Sequence, residues 1–556
     1  MSGNDHETGV AGGNGSNASN ATPEGYRRSV SEAASSQQES QPSCRVPPAL
    51  ASIVEWPFQI RSVEAGKILP EATGWSMDAA AKGPLNMAGT HIGNALIVLA
   101  MAEAGCTSRQ CDARVYGIRA TSILPVTSMV TSIIAGLVMP IVGSIVDHTS
   151  HRKLVGSLTA FFVVVCLGGQ IAISEDNWFI MLCLEGVGAF MLQTHITAVF
   201  AYLPDLSMYE HDFIRYTSGF NVRQTVSQLL HAVLVVVVGI LRPDPVSRID
   251  GSIRNARTSA SIAFAVSSLL FGYSWIVLFR RRPPLSDVPE GQTLVSAGFR
   301  RIHKTAQLVW ENYHALKWLM IALLWSPEVG TGLILSITTT FLSVWLEMTA
   351  MEISVISLAM LVASIPGAFL SRVVCGVLDP LRSYQLALVC FMGVAALTAG
   401  LLDSPERKNL AYGTGVMWGI CIGWLYPTQR VLFCTLIPRG QEMEFMGIFT
   451  FFGNILSWLP PLLFTILNER NVSMQWGLSL IPFFLFASFA CTLCMGSFKQ
   501  AVAQISDEPK EDLSLPRREI SAGTDPIPMS SRSFNQDNLD AREEENNEEK
   551  VEEEKV

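Results

Sequence analysis

Strongly apolar segments alternate with short polar connectors along most of the chain, and about twelve of them are roughly 20 residues long, enough to cross the hydrocarbon core of a bilayer as a helix. In the first half this pattern predicts spans at 84–103, 121–146, 154–173, 178–203, 217–241 and 258–280. In the second half it predicts spans at 317–346, 352–378, 384–402, 410–433, 444–467 and 475–497. The pattern therefore predicts an all-α membrane protein with about twelve transmembrane helices in two six-helix halves.

A longer connector near the middle of the chain separates the two halves. Its basic residues are Arg280, Arg281, Arg282, Arg300, Arg301 and Lys304. Two six-helix halves joined by a cytosolic linker are the outline of a major facilitator fold. We therefore predict an N-terminal half at 71–280, a basic cytosolic linker at 281–315 and a C-terminal half at 316–500.

Both ends of the chain differ in composition from this apolar middle. Residues 1–70 are rich in Ser, Asn, Gly and Gln, and residues 501–556 end in a run of glutamates that repel one another. Such segments have too few large apolar side chains to offset the entropy cost of ordering, so we predict that both are disordered. The net charge of −9 is misleading as a guide to partners, because the acid is concentrated in this tail. Nothing in the sequence favours nucleic-acid binding.

The distribution of basic residues predicts how the chain sits in the membrane. An even number of spans places both tails on one side, and the connectors on that side carry about 13 Lys and Arg against about 10 on the other, a bias that places the tails in the cytosol. The connector after the fifth span, with Arg242, Arg248, Arg254 and Arg257, works against this bias. With the tails in the cytosol, Cys106 and Cys111 lie on the luminal side, where they could form a disulfide.

A loop after the second span contains an acid and two basic residues in a tight turn, within the sequence from Gly143 to Lys153. We predict a cytosolic latch in which Asp147 pairs with a basic group across the interface of the halves, while Arg152 or Lys153 caps a helix C-terminus. The corresponding connector of the second half repeats the pattern more weakly with Asp379 and Arg382. The alternative is a simple turn followed by positive-inside charges.

The fifth span carries a polar stripe. Its members, which fall within an arc of about 80° on a helix, are Thr217, Asn221, Gln224, Gln228 and His231. Amides and an imidazole are costly against lipid, so the stripe should face protein or a water-filled cavity. Either it lines a substrate pathway, or it is a helix–helix seam held by side-chain hydrogen bonds.

Three more charged residues are candidates for substrate or proton contacts. Glu185 lies inside the fourth span, where an acid is either functional or satisfied by a packing partner. Glu328 follows Pro327 and precedes two glycines, a helix break at which it could hold a proton or a substrate amine, or lie near the surface of the membrane. Arg430 in the tenth span could bind a carboxylate with two hydrogen bonds, snorkel to the interface or pair with Glu444.

The first helix opens with Asp78 and Lys82, an i,i+4 pair. In the fourth span, Gln193 and His195 lie about 200° apart, so they cannot both face one cavity.

No metal-ligand spacing, nucleophile triad or phosphate-binding loop is found in the sequence. We therefore predict a protein that is not an enzyme, holds neither a cofactor nor a metal and does not hydrolyse ATP.

The most distinctive block lies around the tenth and eleventh spans. It includes Gln429-Arg430, then Leu436-Ile-Pro-Arg-Gly-Gln-Glu-Met-Glu444-Phe-Met-Gly447, then Ser457-Trp458-Leu459-Pro-Pro-Leu462. This block resembles the autophagy-related vacuolar effluxer family of the major facilitator superfamily. Gly74-Trp75, Ala201-Tyr202-Leu203-Pro204-Asp205-Leu206 and Asn255-Ala-Arg257 also match, and the resemblance covers most of residues 70–500.

The resemblance implies export of amino acids from a vacuole or lysosome-like compartment after autophagic breakdown, by a multi-pass protein of the vacuolar membrane. The charges suit such a substrate, since Arg430 could hold its carboxylate, Glu328 its ammonium group, and the fifth-span stripe could supply neutral hydrogen bonds. We therefore expect an amino acid as the small-molecule substrate, protons as the candidate coupling ion and the bilayer as the other partner. A carrier of a sugar or carboxylate, or a transport-dead scaffold, are the alternatives.

Overall fold

The computed structural model describes residues 54–62, 66–106, 111–206, 210–242, 245–284, 288, 293–325, 337–437 and 442–506. These residues belong to one compact unit that ends at Ser506. Almost all of its regular structure is helical, as the apolar pattern predicts. The exception is a small antiparallel hairpin of strands β1 (Arg114–Val115) and β2 (Ile118–Arg119) after the first long helix.

The first half contains six long helices. They are α1 (Pro70–Glu103), α2 (Ile123–His148), α3 (Arg152–Gln170), α4 (Trp178–Phe200), α5 (Glu210–Leu241) and α6 (Arg248–Tyr273). A π-helical turn, Ser274–Leu278, extends α6, and short helical turns lie at Trp56–Phe58, Ala120–Ser122 and Leu203–Leu206. The connector between the halves contains a helix of its own, Leu294–Asn312, called the linker helix below.

The second half has shorter and more interrupted helices. They are α7 (His314–Leu324), α8 (Ala350–Val377), α9 (Pro380–Leu401), α10 (Leu410–Thr435), α11 (Glu442–Asn454), α12 (Leu459–Glu469) and α13 (Leu480–Leu493). Shorter pieces are a π-helical turn at Phe341–Trp345, a 3-10 turn at Pro405–Arg407, and helices at Met474–Leu478 and Phe498–Ser506. Together α11 and α12 occupy the eleventh predicted span, which a turn at residues 455–458 divides, and Pro460 and Pro461 lie in the first turn of α12.

Ten stretches of helix in the described part of the chain are long and apolar enough to cross a membrane. The predicted tenth span corresponds to α10, which is not among these ten. Its 26 residues reach about 39 Å, but Gly, Tyr, Thr and Gln lower its mean hydropathy. The predicted seventh span, 317–346, falls partly outside the described residues, between α7 and the π-helical turn.

Helix α1 begins earlier than the hydrophobic pattern predicts. Its first residue is Pro70 rather than a residue near 84, and it runs for 34 residues with Pro84 inside it. The polar residues that obscured this start are Asp78 and Lys82, which form an ion pair on the helix and are both buried. Of the candidate spans, α1 is the most enclosed by protein. It is therefore a central helix of the first half rather than one that faces lipid.

Two hydrophobic cores follow the division of the chain. One runs from Ile60 to Phe279 and contains only first-half residues. The other runs from Val309 to Ala501, with Ile97, Val98 and Leu124 of the first half packed into it. Each half therefore buries its own apolar faces, and a small number of side chains join the cores.

Glycines allow α8 and α10 to approach until their backbones touch. A methyl group added at Gly419 or Gly423 would overlap the carbonyl oxygens of Met360 or Ser364 on α8, and one at Gly367 would overlap the carbonyl of Ile420. Small residues at such crossings replace side-chain packing by direct backbone contact. We call this contact the α8–α10 seam.

Candidate functional site

The polar stripe of α5 faces protein. Gln224 and Gln228 are half-buried and His231 is buried, whereas Val222 and Leu230 on the opposite side are each 60% exposed. The apolar face is the one that lipid can cover. The predicted separation of the two faces is therefore present in the structure.

Two neighbouring helices cover part of this stripe. The backbone of α5 at Gln224 and Gln228 lies directly against Gly83 of α1, where an added methyl group would collide with both residues. On the next turn, the Nε2 of His231 lies 2.9 Å from the hydroxyl of Ser259 on α6. This part of the stripe is a helix–helix seam, as the second alternative expects. Asn221, one turn toward the start of α5, is half-buried.

Glu185 lies where α1, α3 and α4 meet. Its carboxylate accepts a hydrogen bond from the side-chain amide of Gln170, and its Oε1 lies beside Gly89 of α1. Within the described residues no Lys, Arg or His forms an ion pair with Glu185. An acid inside a span with only a neutral partner can bind a proton or a cationic group.

Of the two charged candidates in the second half, the structure describes Arg430 but not Glu328. Arg430 is half-buried on α10, and none of the ion pairs in the described part of the chain includes it. Its guanidinium group is thus able to accept an anionic partner. Glu328 and the helix break around it lie outside the described residues, and so does the side chain of Glu444.

The first half contains a buried group of charged side chains that the sequence did not predict. Asp78 of α1 forms an ion pair with Lys82 at 3.0 Å, and its other oxygen accepts a hydrogen bond from His195 Nε2 of α4 at 2.8 Å. The indole Nε1 of Trp275, in the turn that extends α6, donates to the same oxygen at 2.9 Å. All four side chains are buried, with Asp78 and His195 fully shielded from solvent. We call this group the Asp78 cluster.

Other contacts surround the cluster on two sides. The ammonium group of Lys82 lies 4.6 Å from the centre of the Phe220 ring on α5, a cation–π contact next to the polar stripe. The Nδ1 of His195 lies 3.1 Å from the carbonyl of Gly156 and 3.1 Å from the hydroxyl of Thr159, both on α3. The cluster thus joins α1, α3, α4, α5 and α6.

At one end of the helix bundle, Asp147 forms an ion pair. Its partner is Arg301 of the linker helix, at 2.7 Å, and Ser144 also donates a hydrogen bond to the carbonyl of Leu294. Arg152 donates from Nε to the carbonyl of Val146 at 3.3 Å, in the last turn of α2, and is buried against the ring of Tyr202. Arg152 thus lies at the C-terminal end of α2 as predicted, whereas Asp147 pairs with the linker helix and not with a basic group across the interface of the halves.

Asp379 and Arg382 act locally rather than as a second latch in the described structure. Asp379 caps α9 by accepting a hydrogen bond from the backbone of Arg382, and the two side chains lie 3.6 Å apart. The expected contact across the interface is therefore replaced by an N-cap. An acid at this position stabilises the helix start through the free backbone N–H groups.

The opposite end of the bundle contains a network that sequence reasoning missed. Arg119, at the end of the β hairpin, donates hydrogen bonds to Asp112, to the carbonyl of Asn468 and to the side chain of Asn471. Its backbone N–H donates to Glu469 at 2.9 Å. Asn468 in turn donates to the hydroxyls of Thr121 and Ser122, each at 2.7 Å. This Arg119 network connects the first half to the turn after α12.

The disulfide lies at the same end. Cys106 and Cys111 are bonded, as the sequence suggested, and Asp112 of the Arg119 network follows directly. We therefore call this the disulfide end, and the one with Asp147 and Arg301 the linker end. In the described residues, no group of three or more His, Cys, Asp and Glu side chains is placed to hold a metal ion.

Comparison with known proteins identifies the family. The profile of the family described as "Vacuole effluxer Atg22 like" matches residues 70–504. Autophagy-related protein 22 of Kluyveromyces lactis is 27% identical over 150 residues, which is 26% of this chain and 30% of that protein. The match thus spans under a third of this relative. An uncharacterized MFS-type transporter of Bacillus subtilis, YxiO, is 19% identical over 364 residues, 65% of this chain and 81% of that protein.

Solved structures show the fold. The nucleoside transporter NupG superposes with a TM-score of 0.52 at 12% identity, and the alignment covers 76% of this chain and 100% of that one. A D-xylose-proton symporter superposes with a TM-score of 0.51 at 13% identity, covering 76% and 97%. At this identity the likeness concerns the fold alone, and it confirms the predicted major facilitator architecture. The chain is a multi-pass membrane protein with a major facilitator fold, and it belongs to the family described as "Vacuole effluxer Atg22 like".

Proposed function

We propose that this protein is a secondary transporter that exports amino acids from a vacuole- or lysosome-like compartment into the cytosol. The observation that carries the proposal is the family match, which extends over residues 70–504 and therefore over both halves of the fold. The same match supports a place in the vacuolar membrane.

The charges inside the spans suit a zwitterion. Arg430 offers a guanidinium group that makes no ion pair within the described residues, and Glu185 offers a carboxylate whose bound partner is a neutral amide. Glu328 is a second candidate for the ammonium group on sequence grounds. One fixed positive and one fixed negative group match an amino acid better than a sugar, which needs neither, or a dicarboxylate, which the acids would repel.

The polar stripe supplies neutral hydrogen-bonding groups for the proposed substrate. Asn221 is half-buried, while Gln224, Gln228 and His231 lie at the contacts of α5 with α1 and α6. In a major facilitator fold the two halves rock around a central site. The seam between α5 and α1 lies inside one half and stays closed in that motion, so the half-buried side chains of the stripe, Asn221, Gln224 and Gln228, are the candidates to face the pathway.

Flux from reconstituted vesicles tests the proposal. Vesicles loaded with labelled neutral amino acids should release them through wild-type protein, and Arg430→Ala and Gln224→Ala should slow release by about tenfold or more, because one charge-assisted hydrogen bond is worth about 1.5–3 kcal/mol. Arg407→Ala removes an exposed arginine at the rim, paired only with Asp403 within its own turn, and should release at the wild-type rate.

Three outcomes would overturn the proposal. Equal release from wild type, Arg430→Ala and Gln224→Ala would remove the assigned site. Preferential release of sugars or dicarboxylates would replace the substrate. Absence of flux for every metabolite tested, with folded protein in the vesicles, would favour a scaffold.

A further inference from the structure

The buried charges of the Asp78 cluster do not add to zero when every group is charged. The groups that act on Asp78 are Lys82 and His195, one acid facing two bases. An uncompensated charge is costly in the interior of a membrane protein, so a neutral cluster is the resting arrangement. An Asp78 carboxylate, a Lys82 ammonium and a neutral His195 satisfy this requirement. The imidazole is then the group that can take up one more proton.

The hydrogen bonds of His195 show at which ring nitrogen a proton can be gained or lost. Nε2 faces the carboxylate of Asp78 at 2.8 Å, so it carries a hydrogen in either charge state. Nδ1 faces two groups of α3, the carbonyl of Gly156 and the hydroxyl of Thr159, both at 3.1 Å. A carbonyl can only accept, whereas a hydroxyl can donate or accept. Asp78 therefore orients the ring, and Nδ1 is the position at which a proton can be gained or lost.

Thr159 can serve both states by rotation of its hydroxyl. Its oxygen lies 2.8 Å from the carbonyl of Val155 and 3.0 Å from that of Gly156, in addition to His195. With neutral His195 the hydroxyl donates to Nδ1. With protonated His195, Nδ1 donates to the Gly156 carbonyl, and the hydroxyl turns to Val155. Both states are then fully hydrogen-bonded without movement of heavy atoms.

The charged surroundings of His195 are simple. From α1 it faces Asp78 and the paired Lys82, and from α3 it faces Gly156 and Thr159. From α6 and its extension it faces the rings of Phe271 and Trp275, which carry no charge. On α3, one turn from Gly156, Arg152 is bound to Val146 of α2, and on α4 the acid Glu185 is bound to Gln170.

The cluster also contacts the proposed substrate stripe and the helix that leads to the linker end. Lys82 contacts Phe220 of α5, and the adjacent Gly83 lies against Gln224 and Gln228 of the polar stripe. Gly156 lies against the Trp275 ring and is one turn from Arg152 at the linker end. Direct contacts thus connect His195 and its cluster both to the proposed substrate stripe and to the linker end.

We propose that His195, oriented by Asp78, binds the coupling proton on Nδ1 and that the hydroxyl of Thr159 switches between the two protonation states. One proton from the compartment binds at Nδ1 as substrate enters, and it leaves to the cytosolic water as substrate is released, which returns the cluster to neutrality. The inference rests on the proposed function, since it assigns the ion that drives the same transport.

Gradient-driven uptake into vesicles tests the assignment. With one proton per substrate, wild type should accumulate amino acid about tenfold for each unit of imposed pH difference, because one unit is a tenfold ratio of proton activity. His195→Gln should lose this accumulation and retain exchange of amino acid at equal pH. His303→Gln, an exposed histidine of the linker helix, should behave as wild type.

Thr159→Val is a milder second variant of nearly the same shape. It removes the donor that satisfies neutral Nδ1 and leaves the Gly156 carbonyl for the protonated form, so the pH midpoint of uptake should rise by about half a unit. Thr194→Val is the matched control, because Thr194 is buried on the same helix as His195 and, among the residues that the structure describes, its hydroxyl bonds only to the carbonyl of Phe190. Its midpoint should equal that of wild type.

The outcomes separate this inference from the proposed function. Wild-type exchange without accumulation in a pH gradient would overturn the proton assignment and leave amino-acid transport intact. Accumulation that persists in His195→Gln, or a midpoint in Thr159→Val that stays fixed or falls, would also overturn it. If His195→Gln does not fold, the sign of the Thr159→Val shift decides. Wild type that moves no amino acid under any condition would remove the proposed function itself.

Discussion

The two ends of the helix bundle are held together by different kinds of contact. At the disulfide end, buried hydrogen bonds pass directly between the halves, from Arg119 to Asn468 and Asn471 and from Asn468 back to Thr121 and Ser122. At the linker end, Asp147 pairs with Arg301, and both side chains are partly exposed. Buried bonds to charged groups contribute about 1.5–3 kcal/mol each, whereas exposed ion pairs contribute about 0–1 kcal/mol.

Further contacts support the same contrast. At the disulfide end Arg248 of α6 donates to the carbonyl of Ser343, and the amide of Asn255 donates to Ser354 and to the carbonyl of Ala350 on α8. These bonds again join the halves. We infer that the halves are fastened to each other at the disulfide end, whereas at the linker end the Asp147–Arg301 pair ties the linker helix to the first half by a contact weak enough to exchange.

Removal of Arg119 should have the largest effect on this contrast. Arg119→Ala deletes the buried centre of the network, and we expect a loss of about 3 kcal/mol, or about a hundredfold shift toward opening at the disulfide end. Labels introduced at the exposed residues Tyr116 and Trp476 through noncanonical amino acids would report the separation of the halves there.

Arg407→Ala provides the control for this experiment. It removes an exposed arginine from the connector between α9 and α10 at the same end, where its partner Asp403 lies on its own turn. Its label distances should match wild type. If Arg119→Ala also keeps the wild-type distance distribution, the network does not fasten the halves.

Loss of the disulfide should have an intermediate effect. Cys106→Ser combined with Cys111→Ser frees the chain before Asp112, one partner of Arg119, while the bonds of Arg119 to Asn468 and Asn471 remain. We expect about 1 kcal/mol, or about a fivefold shift toward the open distance. A reducing agent should reproduce the shift in wild type and leave the double variant unchanged. An equal response of both proteins to the reductant would contradict the role of the disulfide.

Neutralisation of Asp147 should have the smallest effect. Asp147→Asn removes an exposed ion pair, and we expect backbone hydrogen exchange in the linker helix to speed up by about threefold, corresponding to less than 1 kcal/mol. High salt should produce a similar change in wild type, since it screens exposed charges. Asp379→Asn, which alters a local cap on α9, should leave exchange in the linker helix unchanged. If neither Asp147→Asn nor high salt changes hydrogen exchange in the linker helix, packing alone holds this helix in place.

Features that depend on one helix face or a short segment were predictable from the sequence. The α5 stripe was located because period and polarity are properties of a single helix, and Cys106 and Cys111 were paired because they are close in sequence. The positions of most spans follow from length and hydropathy alone. The latch carboxylate Asp147 was identified in the same way, although its partner came from the linker helix.

Features built from distant residues were not predictable. The Asp78 cluster combines residues 117 and 197 positions apart along the chain, and the hydropathy pattern excluded Asp78 from the first span. The Arg119 network joins residues separated by about 350 positions in two connectors without a distinctive pattern. The signal available was the Asp78–Lys82 spacing, since two opposite charges one turn apart can enter a membrane helix as a pair.

The α8–α10 seam has a consequence for natural variation in this gene. Because carbonyl oxygens of one helix fill the space beside Gly367, Gly419 and Gly423 of the pair, even an alanine there forces the backbones apart. A chain with such a change should be recognised as misassembled and degraded. A missense change at these glycines would therefore lower the amount of protein rather than alter the properties of the folded molecule.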